Sequence, residues 1–131
     1  MRGKSPVPIC KAFLICRRIM GEQLTLIGQE NCHHTTTFPS AEPISFFARL
    51  TCFHGPCQLE VQLQDRNGSV AWHWEHPEFV MPSPLHTIEF KETIVPVFPA
   101  SGSDSIVLVA NGEELSREPF AARLRTAAIN R

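Results

Sequence analysis

The side chains best suited to chemistry in this chain gather around one turn. Cys52-x-His54-x2-Cys57 places two thiols and an imidazole close together, and Cys32, His33 and His34 form a second short group upstream. Thiolate and imidazole are the ligands zinc prefers, in a tetrahedron usually assembled from closely spaced pairs. The first group could converge around the turn His54-Gly55-Pro56. Against this, no second C-x2-C or H-x3-H pair follows, and strand alternation puts Cys52 on the apolar face with Ala48 and Leu50. The simpler reading makes the cysteines small buried hydrophobes and His54 a loop side chain. The expectation is therefore no metal and no cofactor, with zinc at Cys52, His54 and Cys57 as the alternative.

Three further histidines, His73, His76 and His86, flank a tryptophan-bearing segment. His73-x2-His76 offers two ligands at a strand-to-loop step, but a solvated strand face followed by a proline-rich loop explains the same residues. Trp72 and Trp74 share one face. An indole buries about 150–250 Å², so core filling is the first explanation, with Trp72 nearer mid-strand and more deeply placed. The functional alternative is a binding surface of Trp74, His73 and His76 that stacks a sugar or clamps a peptide.

Nucleophilic catalysis needs a base beside the nucleophile and a third group orienting that base. Cys57 and His54 are the closest local pair, with no surrounding signature. There is no G-x-S-x-G elbow, no G-x-G-x-x-G and no phosphate-binding loop, and Asp104 has no neighbouring acid. The chain is expected not to be an enzyme.

The elements that must position these residues are strands. In Gln58 to Glu75, Leu59, Val61 and Leu63 alternate with Glu60, Gln62 and Gln64, the period of a half-buried strand. Asn67-Gly68 follows, the dipeptide suited to a type I′ turn. Val70, Trp72 and Trp74 then alternate with Ala71, His73 and Glu75. Further strands are expected near 9–17, where a short helix is the alternative, and at 23–28 (QLTLIG), 44–53, 85–95, 105–110 and 114–124. His33 to Thr37 reads as a strand edge or a loop, and Gly21-Glu22 as a turn. Asn111-Gly112 repeats the type I′ signal. Phe120, Leu124 and Ala128 also have helical spacing, but a strand fits better straight after an Asn-Gly turn. Prolines mark crossings at 76–84 and 96–102.

These signals predict an all-β fold, an antiparallel β-sandwich of immunoglobulin-like or jelly-roll type with about seven to nine strands. Residues 9–124 form one domain, with flexible tails at 1–8 and 125–131. Hydrophobic residues make up 43% and charged residues 19%, enough apolar material for one packed core. The formal net charge is −1 with 12 basic and 13 acidic side chains scattered along the chain, so no basic stripe awaits nucleic acid. No apolar run approaches the roughly 18 residues of a membrane span, and the start lacks the apolar run of a secretory signal. Five cysteines, an odd set, exclude a complete disulfide framework. The expectation is a cytoplasmic protein with free, mostly buried thiols.

Four pieces carry a resemblance: QLTLIG, FPSAEPISFFARLT, LEVQLQDRNGSV and FPASGSDSIVLVANGEELSREPF. Their order resembles an uncharacterised bacterial family of small single-domain proteins, from about Ile9 to Leu124. In that family a strand ending in IG leads to an FP step. It closes on an FPxxG crossing, a strand, an NGE or DGE turn and a strand ending in PF. The resemblance implies a β-sandwich and no activity. One departure is visible: where the family pattern has an aromatic after FPxxG, this chain has Ser103-Asp104-Ser105-Ile106, and it holds no tyrosine.

Taken together, these readings point to a non-catalytic binding or assembly module in a bacterial cytoplasm, acting on a protein partner through a sheet edge or exposed face. A zinc-stabilised protein and a structural subunit of a larger particle are the alternatives.

Overall fold

A computed structural model describes residues 7–20, 25–29 and 31–125, with the backbone alone for 25–29. The described residues form strands and no helix: β1 (Ile9–Met20), β2 (Thr25–Gln29), β3 (Cys32–Thr35), β4 (Ser40–Ala41), β5 (Ile44–Thr51), β6 (Gly55–Cys57), β7 (Leu59–Gln64), β8 (Val70–Glu75), β9 (Phe79–Met81), β10 (Thr87–Ile94), β11 (Val97–Phe98), β12 (Gly102–Ala110) and β13 (Glu113–Leu124). The expected turn at Gly21-Glu22 and the outer parts of both expected tails lie outside the described residues, as do Gln23 and Leu24 of QLTLIG.

Two larger sheets carry the fold. One has the order β10-β5-β1-β2, the other β3-β13-β12-β7-β8, and two short ribbons, β11-β4 and β6-β9, accompany them. Nearly all pairing is antiparallel. The exception is β3 beside β13, which runs parallel with Cys32 opposite Ala121 and Thr35 opposite Leu124. The thirteen described strands exceed the expected seven to nine because the proline-flanked crossings contribute two- and three-residue strands. Segments that short contain no readable period, and their partners lie far away in sequence.

One apolar core draws on both sheets. Ile44, Phe46, Ala48 and Leu50 of β5 join Phe13 and Ile15 of β1 and Phe90 and Ile94 of β10. Leu59, Val61 and Leu63 of β7, Ile106 and Leu108 of β12 and Phe120 of β13 belong to the same cluster. Leu50 and Phe90 are therefore core residues from different strands, as their alternation predicts. Phe47 and Ser45 on the other face of β5 are also buried, so this strand is covered on both sides. The Arg49 guanidinium lies 5.4 Å from the centre of the Phe47 ring and supplies part of that cover.

The two Asn-Gly turns differ. At Asn111-Gly112 both residues have positive φ, 49° and 83°, which is the two-residue turn expected there. At Asn67-Gly68 only Gly68 does, at 86°. The cause is Asp65, whose Oδ1 accepts from both Asn67 N and Ser69 N at 2.9 Å. This Asx geometry keeps the preceding residues right-handed and leaves the left-handed position to glycine. Gly68 N also donates to Asp65 O at 2.9 Å. The loop is longer than a type I′ turn, and the β7–β8 register shifts between Leu63 and Gln64. Leu59, Val61 and Leu63 stay buried, and Trp72 and Trp74 pack half-buried against the core. The shift carries Val70 out, 50% exposed, where alternation had placed it inside.

The last segment is a strand throughout, Glu113–Leu124, and the helical spacing of Phe120 and Leu124 is incidental. Among the described residues, no helix is long and apolar enough to cross a membrane.

Candidate functional site

The structure does not gather the cysteine–histidine group. β5 stops at Thr51, and Cys52 takes φ 62°, a left-handed conformation uncommon outside glycine. Its N–H donates to Pro84 O at 3.1 Å. This reversal breaks the alternation that put Cys52 beside Leu50, and its side chain is exposed instead of apolar-facing. Two residues on, His54 is exposed, whereas Cys57 is buried in the central core, where loss of water pushes its thiol up to about 11. The donor atoms of Cys52, His54 and Cys57 do not converge. No disulfide joins the five cysteines; Cys16 and Cys57 are buried and Cys10 and Cys32 half-buried, so fewer are core residues than expected.

Cys32, His33 and His34 separate because β3 alternates. Cys32 and His34 point the same way, Sγ to Nε2 3.5 Å. Between them, His33 turns inward and is 6% exposed, its ring 5.0 Å from that of Phe98. His33 Nε2 lies 2.8 Å from Ser40 Oγ, and its Nδ1 meets Glu42 Oε1. With a carboxylate on Nδ1, that nitrogen carries a hydrogen, and Nε2 is left to the serine hydroxyl. Hydroxyl, imidazole and carboxylate follow one another in the order of an acyl-transfer relay. Such a relay also needs oxyanion donors and a place for substrate beside the serine. Ser40 instead sits in the β4–β11 ribbon opposite Phe98, and a cavity of about 680 Å³ is lined elsewhere by Asp104, Glu118, Phe120 and Arg123 among others. The arrangement ties the β4 segment to β3. Sequence reading missed it because the three partners lie on two different strands and a loop with no common spacing.

That cavity opens between β1 and the β12–β13 pair. Asp104 and Glu118 are register partners of Phe120 and Ile106, so both carboxylates fall on the inner side of their sheet. Burial, and then the nearby Asp65 charge, raise the Asp104 carboxyl above its ordinary value.

Trp74, His73 and His76 do not form one surface. Trp74 and His76 turn inward. The Trp74 indole lies edge-on to Phe46 with centroids 5.7 Å apart, and to His76 at 5.9 Å. His76 in turn meets Phe79 at 5.6 Å and Phe90 at 5.1 Å. Its Nδ1 donates to Pro77 O at 2.6 Å, and its Nε2 lies 3.9 Å from Glu92 Oε2. This aromatic group closes the gap between the edge strands β8 and β10. Trp74 is tied to fully buried Phe46, so it fills the core as much as Trp72 does. His86 is exposed in the loop before β10, apart from both.

His73 turns the other way, onto the outer face of the β7–β8 hairpin. Its Nδ1 lies 3.1 Å from Glu60 Oε2 and 3.9 Å from Glu75 Oε2. Glu60 is directly opposite Glu75 in the ladder, and His73 sits opposite Gln62. From Glu60 a polar ribbon crosses the sheet. Gln62 Nε2 donates to Glu60 Oε2 at 3.1 Å, Gln64 Nε2 to Gln62 Oε1 at 2.7 Å, and Arg117 Nη2 to Gln64 Oε1 at 3.0 Å. Arg117 ends the ribbon in a two-point pair with Glu114, 2.9 and 2.8 Å, which holds the Glu114 carboxyl below the usual carboxylate range. Val107 and Val109 are register partners of Gln62 and Glu60 and lie buried beneath it. The ribbon's aliphatic stems thus cover apolar surface while its heads stay ordered.

The sheet edges differ in how open they are. β3 has four residues and β2 five, and β8 carries the register shift. β10 runs eight residues, pairs with β5 in unbroken register and has no partner on its other side among the described strands. No protein-family model matches the chain, and no curated protein matches it.

Proposed function

We propose that this protein is a non-catalytic binding or assembly module, an antiparallel β-sandwich of immunoglobulin-like or jelly-roll type, from an uncharacterised bacterial family. Its partner is a protein that lays an extended segment along β10. The single observation that supports this is the uneven treatment of the edges. Folded proteins blunt exposed edges by shortness, bulges, proline, charged side chains or covering. The other edge strands use one of the first two. β10 contains no proline and no irregularity over eight residues, and its guard is the charged set Glu89, Lys91 and Glu92, which leaves the backbone groups of the edge in line for a strand of complementary charge. An added strand would gain backbone hydrogen bonds from β10 and specificity from the side chains that alternate along it. Glu89 and Lys91 face outward, while Phe90, Glu92 and Ile94 share the register face of Ala48, Phe46 and Ile44. A segment alternating polar and apolar residues fits that edge.

The test is site-directed photo-cross-linking in the native cell. A benzophenone side chain at Glu89 should capture a discrete protein partner, and Lys91→Pro, which removes a backbone donor from β10, should abolish capture. Cross-linking that persists in the Lys91→Pro protein while that protein stays folded argues against strand addition. Hydrolytic turnover that co-purifies and vanishes in Ser40→Ala would overturn the non-catalytic reading.

A further inference from the structure

We propose that Glu60, His73 and Glu75 form a surface site for a divalent cation of the zinc class. The three ligand atoms, one nitrogen and two carboxylate oxygens, all lie within 4.8 Å of one another. Around a tetrahedral zinc with bonds of 2.0–2.1 Å, neighbouring donors stand about 3.3 Å apart. The two separations from His73 Nδ1, 3.1 and 3.9 Å, bracket that value. Small rotamer changes of exposed side chains complete the geometry.

Three features of the backbone and surroundings favour a bound cation over a chance cluster. First, Glu60 and Glu75 are directly opposed in the ladder, where like charges repel and a cation between them relieves the repulsion. Second, Gln62 Nε2 holds Glu60 Oε2 and is itself held by Gln64, which Arg117 anchors. Metal ligands are commonly oriented by such an outer set of hydrogen bonds. Third, all the ligands come from two adjacent paired strands, so the sheet and not a loop fixes their spacing. The imidazole selects zinc, cobalt, nickel or copper over calcium or magnesium, which prefer all-oxygen sites. Three protein donors leave a fourth position for water.

Isothermal titration with zinc chloride, and equilibrium dialysis read by elemental analysis, test this on the full chain. One equivalent should bind. His73→Ala should weaken binding at least about 100-fold and Glu75→Gln at least about tenfold, because each removes a ligand or its charge. Both side chains are more than half exposed, 52% and 58%, so the variants should keep the wild-type far-ultraviolet dichroism. His34→Ala, which removes the imidazole beside Cys32, should leave binding unchanged. Cobalt substitution should give no thiolate-to-metal charge-transfer band. The proposal falls if no zinc binds at about 1 mM, a dissociation constant too weak for a built site. It falls equally if His73→Ala binds like wild type, or if the thiolate band appears.

Discussion

Replacing His33 by alanine tests whether the Ser40–His33–Glu42 arrangement holds the fold. The imidazole is almost fully buried and stacks near Phe98. Truncation removes one hydrogen bond to a neutral hydroxyl, about 1 kcal/mol, and one contact to a carboxylate, about 1.5–3 kcal/mol. Loss of the ring pair with Phe98 adds about 0.5–1.5 kcal/mol. Glu42 Oε1 is buried and, its ion pair with His33 aside, meets no hydrogen-bond partner among the described residues, but the side chain remains 28% exposed and water can take up part of the loss. The expected cost is therefore about 3–4 kcal/mol, short of the full sum. That is a large part of the roughly 5–15 kcal/mol stabilising a domain, and it should lower Tm by roughly 10–15 °C. Glu42→Gln keeps an acceptor for Nδ1–H and should cost about 1 kcal/mol. Because the two side chains share one contact, the double variant should be more stable than the sum of the singles by about 1 kcal/mol or more. The assay is urea denaturation followed by circular dichroism, with slopes compared across all four proteins. His34→Ala, exposed on the same strand, serves as the control and should fall within about 0.5 kcal/mol of wild type. A cost below about 1 kcal/mol for His33→Ala, or additivity within about 0.5 kcal/mol, would refute the idea that this tie stabilises the β3–β4 region.

Other regions of the structure give further expected outcomes. Leu50→Ala should cost about 2–5 kcal/mol in the same denaturation assay, whereas Leu85→Ala, at a side chain 93% exposed, should leave the midpoint in place. Titration with a thiol reagent under native conditions should label Cys52 first and Cys57 last; denaturation without reductant should release five thiols. Asp104 binds its proton more tightly folded than unfolded, so its ionisation opposes folding. Its contribution is neutral at low pH, and stability should decline as pH rises from about 4 through the raised folded value. Asp104→Asn should flatten that part of a Tm-against-pH profile, and an unchanged profile would argue against the buried carboxyl.

Local pattern alone determined much of this protein. A two-residue alternation states which side of a strand is apolar, so the inward set Leu59, Val61 and Leu63 and the core residues Leu50 and Phe90 were readable from side-chain type. Asn111-Gly112 was readable too, since two adjacent positive φ angles suit those residues. Tertiary structure decided the rest. Asp65 captured two backbone donors and changed the Asn67-Gly68 turn, which shifted the register and exposed Val70. The left-handed turn at Cys52 reversed its side chain and dispersed the group with His54 and Cys57. Parallel pairing of β3 with β13 turned His33 inward toward Ser40 and Glu42, residues its own neighbourhood does not announce. The register between β7 and β8 set Glu60 opposite Glu75 and brought His73 to both. Alternation fixes a side chain's face, but which groups meet on that face depends on strand pairing and register, and those are settled by the packing of the whole chain.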